Sequence, residues 1–419
     1  MIIPNAKITV LPSGLRVITE EIPSVRSVAI GIMVGAGSGN EEPREAGISH
    51  YIEHMAFKGT SKRTAYDIAP ALDSVGGKIN AYTSKEVTVY YAVVLDQHID
   101  IAIDVLCDMF LNSLFDPKEM ETEKGVILEE IKMYEDTPDE LIHDYFAQQI
   151  LHGHPLGNPT IGSSETVRAV KREDIINYRQ RLYSPRNVII SLAGAIPEKA
   201  AEKIAPYFAG QQGNEVTHKQ PIPKITGTIS LKKKKTEQTH LCLGVKGPSQ
   251  TEEDRYVFSI LDNILGGSMS SRLFQEVREK RGLVYSIFST TSTFRDFGIS
   301  YVYAGCGREN LKQVVDLTLE QFSKIKKEGL TKEEISRGRE FLKGTMVLGL
   351  ESTSSRMSWM ARSEFYHGRM ITIDEIFEKI DAVKPDDIIR LANEYYKNEY
   401  LTLAVIGDMD ELPIKQLSC

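Results

Sequence analysis

The chain has 419 residues, which at about 100 to 200 residues per domain points to two or three domains. Hydrophobic residues make up 41% and charged residues 26%, an ordinary globular composition that excludes a disordered or fibrous chain. Lys+Arg of 50 against Asp+Glu of 58 gives a net charge of -8, which argues against nucleic acid as a partner.

The longest apolar runs, such as Val188 to Ile196, fall short of the roughly 18 to 20 residues that span a bilayer, so no membrane crossing is expected. Met1 to Val10 carries a lone Lys7 and neither a signal-peptide core nor a transit-peptide pattern, and the expected location is the cytoplasm. Cys107, Cys242, Cys306 and Cys419 are scattered without a close pair. Neither a disulfide framework nor a thiolate zinc site is indicated, and any metal must be held by His and carboxylates. The short basic run Lys232 to Lys235 reads as a solvated strand end.

In chain order, Ile8 to Leu11 and Arg16 to Glu20 flank Pro12-Ser13-Gly14 and predict a hairpin, followed by a strand over Val28 to Val34. A helix is expected over about Ala46 to Phe57, and a second near Tyr66 to Val75 that stops at Gly76-Gly77. Strands Lys78 to Thr83 and Val87 to Leu95 come next, then helices near His98 to Asn112, Pro117 to Tyr134 and Asp139 to Leu151.

The chain then repeats itself. Asp174-Ile175-Ile176 through Tyr183 to Gly194 lies without a gap over Asp387-Ile388-Ile389 through Tyr396 to Gly407 at an offset of 213. The same offset places Val28 to Val34 over Leu241 to Gly247 and matches Gly31 to Gly244. Two copies of one domain are implied. Gly210 to Pro223 has linker composition, which divides the chain into residues 1–210, a linker 211–224 and a second domain 225–419. Strands and helices mix without strict alternation, so the expected fold is α+β: two similar sandwiches of helices on mixed, largely antiparallel sheets.

His50-Tyr51-Ile52-Glu53-His54 is the sharpest chemical signal. At about 100° per residue, with His50 at 0°, His54 falls near 40° and Glu53 near -60°, so all three share one helix face. Two imidazoles one turn apart can reach one ion, and a catalytic zinc uses three protein ligands with the fourth position left to water. The pattern H-x-x-E-H is the inverzincin signature. For the third ligand the helix Pro117 to Tyr134 offers Glu121, Glu123, Glu129 and Glu130, with Glu135 just beyond. Periodicity does not choose between Glu129 and Glu130. Gly35-Ala36-Gly37-Ser38-Gly39 after a strand lacks the spacing and the Lys-Ser or Lys-Thr of a phosphate loop.

The run Gly47-Ile48-Ser49-His50-Tyr51-Ile52-Glu53-His54-Met55-Ala56-Phe57-Lys58-Gly59-Thr60 resembles the signature of the pitrilysin (insulinase) family of zinc metallopeptidases. It is most similar to the subfamily of mitochondrial processing peptidase and its bacterial relatives. The likeness continues through Gly76-Gly77, Asn80-Ala81 and Thr83, Val126-Ile127-Leu128-Glu129-Glu130, Leu265-Gly266-Gly267, Arg278 and Tyr285.

The resemblance implies His50, His54 and Glu130 as ligands of one zinc per chain, because the family's distal Glu lies 76 residues after the second His. It implies Glu123, seven residues earlier, as a support for a ligand histidine, and Glu53 as the base that takes a proton from water and returns it to the leaving amine. Arg278 and Tyr285 would contact the substrate carbonyl and the developing oxyanion. Asn80, Ala81 and Thr83 would bind an extended peptide along a strand edge.

At offset 213 the ligand and base positions fall on Asn263, Gly266, Gly267 and Lys343, so only the first copy can hold metal. The implied activity is a zinc endopeptidase acting on peptides or unfolded segments inside a closed chamber, as a homodimer in which the partner chain completes each active site. The competing expectation is a scaffold subunit of the same family that keeps the fold without catalysis.

Overall fold

The computed structural model describes residues 6–218 and 221–419. Residues 219–220 of the expected linker, and the first five residues, lie outside the described residues.

The chain begins with the hairpin β1 (Lys7–Val10) and β2 (Arg16–Glu21), then β3 (Ser27–Val34), α1 (Ile48–Met55), α2 (Ala65–Asp73), β4 (Lys78–Thr83) and β5 (Thr88–Leu95). Helices α3 (Ile99–Asn112), α4 (Pro117–Glu135), α5 (Pro138–Ile150), α6 (Ser164–Ala169) and α7 (Arg172–Leu182) lead to β6 (Val188–Gly194) and α8 (Ala200–Ile204). The second copy runs through β7 (Ile229–Lys233), β8 (Thr239–Gly247), α9 (Asp254–Leu265), β9 (Val284–Thr293) and β10 (Gly298–Cys306). It closes with α10 (Leu311–Glu328), α11 (Lys332–Gly349), α12 (Thr353–His367), α13 (Ile373–Ala382), α14 (Pro385–Tyr395) and β11 (Thr402–Gly407).

Each copy builds one sheet. The first has the order β1-β2-β6-β3-β5-β4 and the second β7-β11-β8-β10-β9. In both, one pair is parallel, β2 with β6 and β7 with β11, and the remaining pairs are antiparallel. The α+β sandwich reading therefore stands. β4 and β9 occupy the same end of the two orders, each an edge strand.

The compact units do not follow the linear division at residue 210. Among the described residues one consists of 6–132, 158–218 and 348–372, the other of 133–157, 221–347 and 373–419. Two helices cause this. α12 belongs with the first sheet, where Met357, Met360, Ala361 and Phe365 pack against Ala29, Met33 and Ile189. Ion pairs Arg16–Glu364 and Arg356–Glu20 hold it there. α5 belongs with the second sheet, where Ile142, Phe146 and Ile150 pack against Cys242, Ala404 and Ile406.

The matched glycines are the sockets for these helices. A Cβ on Gly31 would stand 2.4 Å from Met357 Sδ of α12, and one on Gly244 would stand 2.7 Å from Phe146 Cζ of α5. A side chain at either position would force Met357 or Phe146 out of its place against the sheet.

A candidate zinc centre

α1 is an eight-residue helix whose sequence sorts into two faces. Ile48, Tyr51, Ile52 and Met55 are buried in the core beneath the first sheet, at spacings that line one side of a helix. His50, Glu53 and His54 take the other side. Gly47 starts the helix at φ 93°, a left-handed conformation that favours glycine. A Cβ there would also meet Ile161 O at 2.7 Å.

Because Gly47 has no side chain to cap the helix, Glu41 does so from the preceding loop. Its Oε2 accepts from Gly47 N at 2.7 Å and its Oε1 from Ser49 N at 2.8 Å. A carboxylate at a helix N-terminus is stabilised by the helix dipole. Burial nevertheless pushes the Glu41 carboxyl up to about 8, against the pull of those donors. Ser49 Oγ and Tyr178 Oη, 2.7 Å apart, pin the same turn. Tyr51 Oη donates to Met120 O at 2.5 Å, tying α1 to α4.

That tie sets α4 beside the histidines. His54 Nε2 lies 3.6 Å and His50 Nε2 3.8 Å from Glu130 Oε2, and the two imidazole centroids are 4.5 Å apart. One donor atom from each of the three residues falls within 4.8 Å of the others, the one such group of three among the described residues. Tetrahedral zinc with bonds of about 2.0 to 2.2 Å separates its ligand atoms by roughly 3.3 to 3.6 Å, so the three fit that ion once they draw together around it.

Burial and the adjacent His54 push His50 down to about 4, which leaves it in the neutral form that ligates metal. His54 Nδ1 faces Glu123 Oε2 at 3.0 Å, so the imidazole presents Nε2 to Glu130. Glu129 points elsewhere: it pairs with Lys132 and its side chain is 74% exposed.

Glu53 is held by the edge strand. Thr83 Oγ1 donates to Glu53 Oε2 at 2.6 Å. Burial raises the Glu53 carboxyl above its ordinary value, with Thr83 and His54 pulling it down and Glu130 pushing it up. Asn80, Ala81 and Thr83 lie on β4, which pairs with β5 on one side only.

Arg278 and Tyr285 belong to the second unit. Arg278 sits in a π-helical turn, Phe274–Glu279, with its guanidinium 4.7 Å from the Phe274 ring centroid. Tyr285 is the extra residue of a bulge, because Val284 pairs with Cys306 while Ser286 pairs with Gly305. The bulge turns it outward and leaves it 78% exposed.

Residues 16–164 match the model of the insulinase family, peptidase family M16, and residues 169–342 match that of the peptidase M16 inactive domain. An uncharacterized zinc protease of Bacillus subtilis, YmxG, is 41% identical over 96% of this chain and 98% of its own length. The chain belongs to the M16 family of zinc proteases. An uncharacterized zinc protease of Streptomyces coelicolor is 40% identical over 98% of this chain and 91% of its own.

Among solved structures, a protease from Helicobacter pylori superposes on this M16 chain with a TM-score of 0.88 at 23% identity, covering 97% of this chain and all of that one. A peptidase M16 inactive domain from Pseudomonas fluorescens gives 0.90 at 18% identity, covering 98% and 100%. These likenesses carry the fold. Among the described residues no helix is long and apolar enough to cross a membrane.

Sequence reasoning missed three links. Thr83 reaches the Glu53 carboxylate as well as lying on the edge strand, Glu41 caps α1, and Lys58 pairs with Glu123. The only trace of the second was an acidic residue six positions before Gly47.

Proposed function

We propose that this protein is a zinc-dependent endopeptidase that holds one zinc through His50, His54 and Glu130 and cleaves peptides or unfolded segments. The reading rests on one observation: three donor atoms gather beside Glu53, with two of the ligands and the base on a single short helix. Zinc bound there would act as a Lewis acid toward a peptide carbonyl and make a water more acidic.

The chain's own residues do the rest. Glu53 takes a proton at Oε1, the oxygen that Thr83 does not hold, and delivers it to the leaving amine. Its raised affinity for protons suits a group that must both accept and donate near neutral pH. The open edge of β4 offers backbone hydrogen bonds to an extended peptide at Asn80, Ala81 and Thr83, which favours conformation over sequence.

Arg278 and Tyr285 contact the substrate carbonyl and the oxyanion. They do so for the zinc centre of a partner chain in a homodimer that encloses the substrate, within the cytoplasm. The exposure of Tyr285 is what such a role requires. A scaffold subunit would be expected to lose a ligand or the base, and His50, Glu53, His54 and Glu130 are all in place here.

Zinc stoichiometry, measured together with cleavage of a quenched peptide library before and after chelation, tests the activity. One zinc per chain and cleavage restored by added zinc are expected, and a zinc-loaded protein that cleaves nothing contradicts it. Mixing Glu53→Gln chains with Tyr285→Phe chains tests the shared site. Recovery of activity is expected, and none would sink the idea.

A further inference from the structure

Lys58 lies near the end of the sequence signature but takes no part in ligation or proton transfer. It lies one turn past the end of α1, where its backbone N–H bonds to Met55 O at 3.1 Å. Its ammonium meets Glu123 Oε1, while Glu123 Oε2 faces His54 Nδ1 at 3.0 Å. The Glu123 side chain is 4% exposed. Both of its oxygens are thereby occupied.

We propose that Lys58 is a positioning residue of the zinc centre: it anchors Glu123 in the one rotamer that orients His54, and so aims His54 Nε2 at the metal. The inference rests on the zinc-centre reading above. A carboxylate held by a single imidazole can swing about its last torsion, because that torsion is broad and its staggered minima are weak. A second anchor on the other oxygen removes the freedom. Burial adds to the need, since a sequestered carboxylate without a cation is strongly unfavourable.

The two histidines differ in a way that places the weight on this arm. His50 Nδ1 is buried with no hydrogen-bond partner, so no hydrogen bond fixes its ring from behind. Of the two rings, His54 is thus the one that a hydrogen bond holds from behind, through Glu123 and Lys58. Loss of such an outer partner lowers metal affinity by roughly ten- to a hundredfold in comparable sites.

The test compares full-length wild type, Lys58→Met, Lys58→Arg, Glu123→Gln and the Lys58→Met/Glu123→Gln double variant. Zinc affinity is read by competition with a chromophoric chelator, ligand geometry by the visible spectrum of the cobalt-substituted protein, and folding by melting of the metal-free form. Lys58→Met is expected to weaken zinc binding by roughly ten- to a hundredfold, to alter the cobalt bands and to lower the metal-free melt by leaving Glu123 buried without its cation, a loss that Lys58→Arg recovers. Lys58→Arg should restore affinity to within a few-fold. In the double variant the Lys58 change should add almost nothing to the Glu123 change, as expected of two residues acting through one interaction.

Wild-type affinity and an unaltered cobalt spectrum in Lys58→Met would overturn the proposal. So would a lowered metal-free melt that Arg does not rescue, which would mark Lys58 as merely structural. Failure of the wild type itself to bind zinc would instead overturn the zinc-centre reading, and this inference with it.

Discussion

Thr83 Oγ1 and Glu53 Oε2 are joined by a 2.6 Å hydrogen bond that links the edge strand to the carboxylate between the two histidines. In the proposed mechanism β4 does two jobs with one residue, offering backbone to an extended peptide and fixing which Glu53 oxygen is free. A hydrogen bond to a charged group contributes about 1.5 to 3 kcal/mol, so Thr83→Val should lower kcat by roughly ten- to a hundredfold. Zinc content should stay at the wild-type level and Thr83→Ser should keep most activity. Equal kcat in Thr83→Val would show that Glu53 needs no such hold.

Metal removal separates Glu130 from its neighbour. Ligand binding to the folded state alone stabilises it by about 4 kcal/mol at a thousandfold excess over Kd, so the melting temperature should rise when zinc is added to metal-free protein. Glu130→Gln and His50→Ala should abolish that rise. Glu129→Gln, altering a residue paired with Lys132 on the exposed side of α4, should retain it. A zinc-dependent rise surviving in Glu130→Gln would move the third ligand elsewhere.

The cap on α1 predicts a stability effect at a distance from the chemistry. Glu41 accepts two backbone N–H groups through separate oxygens, and a glutamine can accept only through one. Glu41→Gln should destabilise the first unit by about 1 to 3 kcal/mol, since it leaves a buried donor unsatisfied. Denaturant unfolding of the metal-free protein measures this, and an unchanged midpoint would show that the helix start is held by Ser49 and Tyr178 alone.

Asp262 gives the second unit a pH dependence. Its Oδ1 is buried without a partner, and burial raises its carboxyl from 3.8 to about 6, with Ser289 pulling the other way. The buried phenols of Tyr396 and Tyr301 feel its charge. Below its unfolded pKa the group is neutral in both states and has no effect. As pH rises through the folded value it must ionise while buried, and stability falls by about 3 kcal/mol. Asp262→Asn should therefore gain stability over wild type at pH 8 and little at pH 4. A gain that is the same at both pH values would contradict the assignment.

The legible parts of the molecule were those written in local spacing. His50, Glu53 and His54 share a face because their separations fit a helical turn, and the central strands follow continuous apolar runs bounded by turn residues. Glu129 and Glu130 were not separable that way, since adjacent helix positions differ by about 100° and the tertiary packing of α4, through Tyr51 and the buried Met120, Ile127 and Ile131, chooses which one faces the histidines. The reciprocal placement of α5 and α12 was invisible for a related reason. Each has an apolar face, but nothing in that face says which of two similar sheets will receive it. The repeat did mark the sockets, Gly31 and Gly244, without revealing their occupants. Glu41 and Lys58 act on groups brought to them by tertiary structure, and no periodic pattern encodes such a contact.

The most direct measurement compares hydrolysis of a quenched peptide library by zinc-loaded wild type and zinc-loaded Glu53→Gln, with metal content assayed on both. One zinc per chain in each protein, cleavage by the wild type and a rate near background for the variant are expected. Equal cleavage by the two proteins, or a zinc-loaded wild type that cleaves no peptide, would contradict the proposed mechanism.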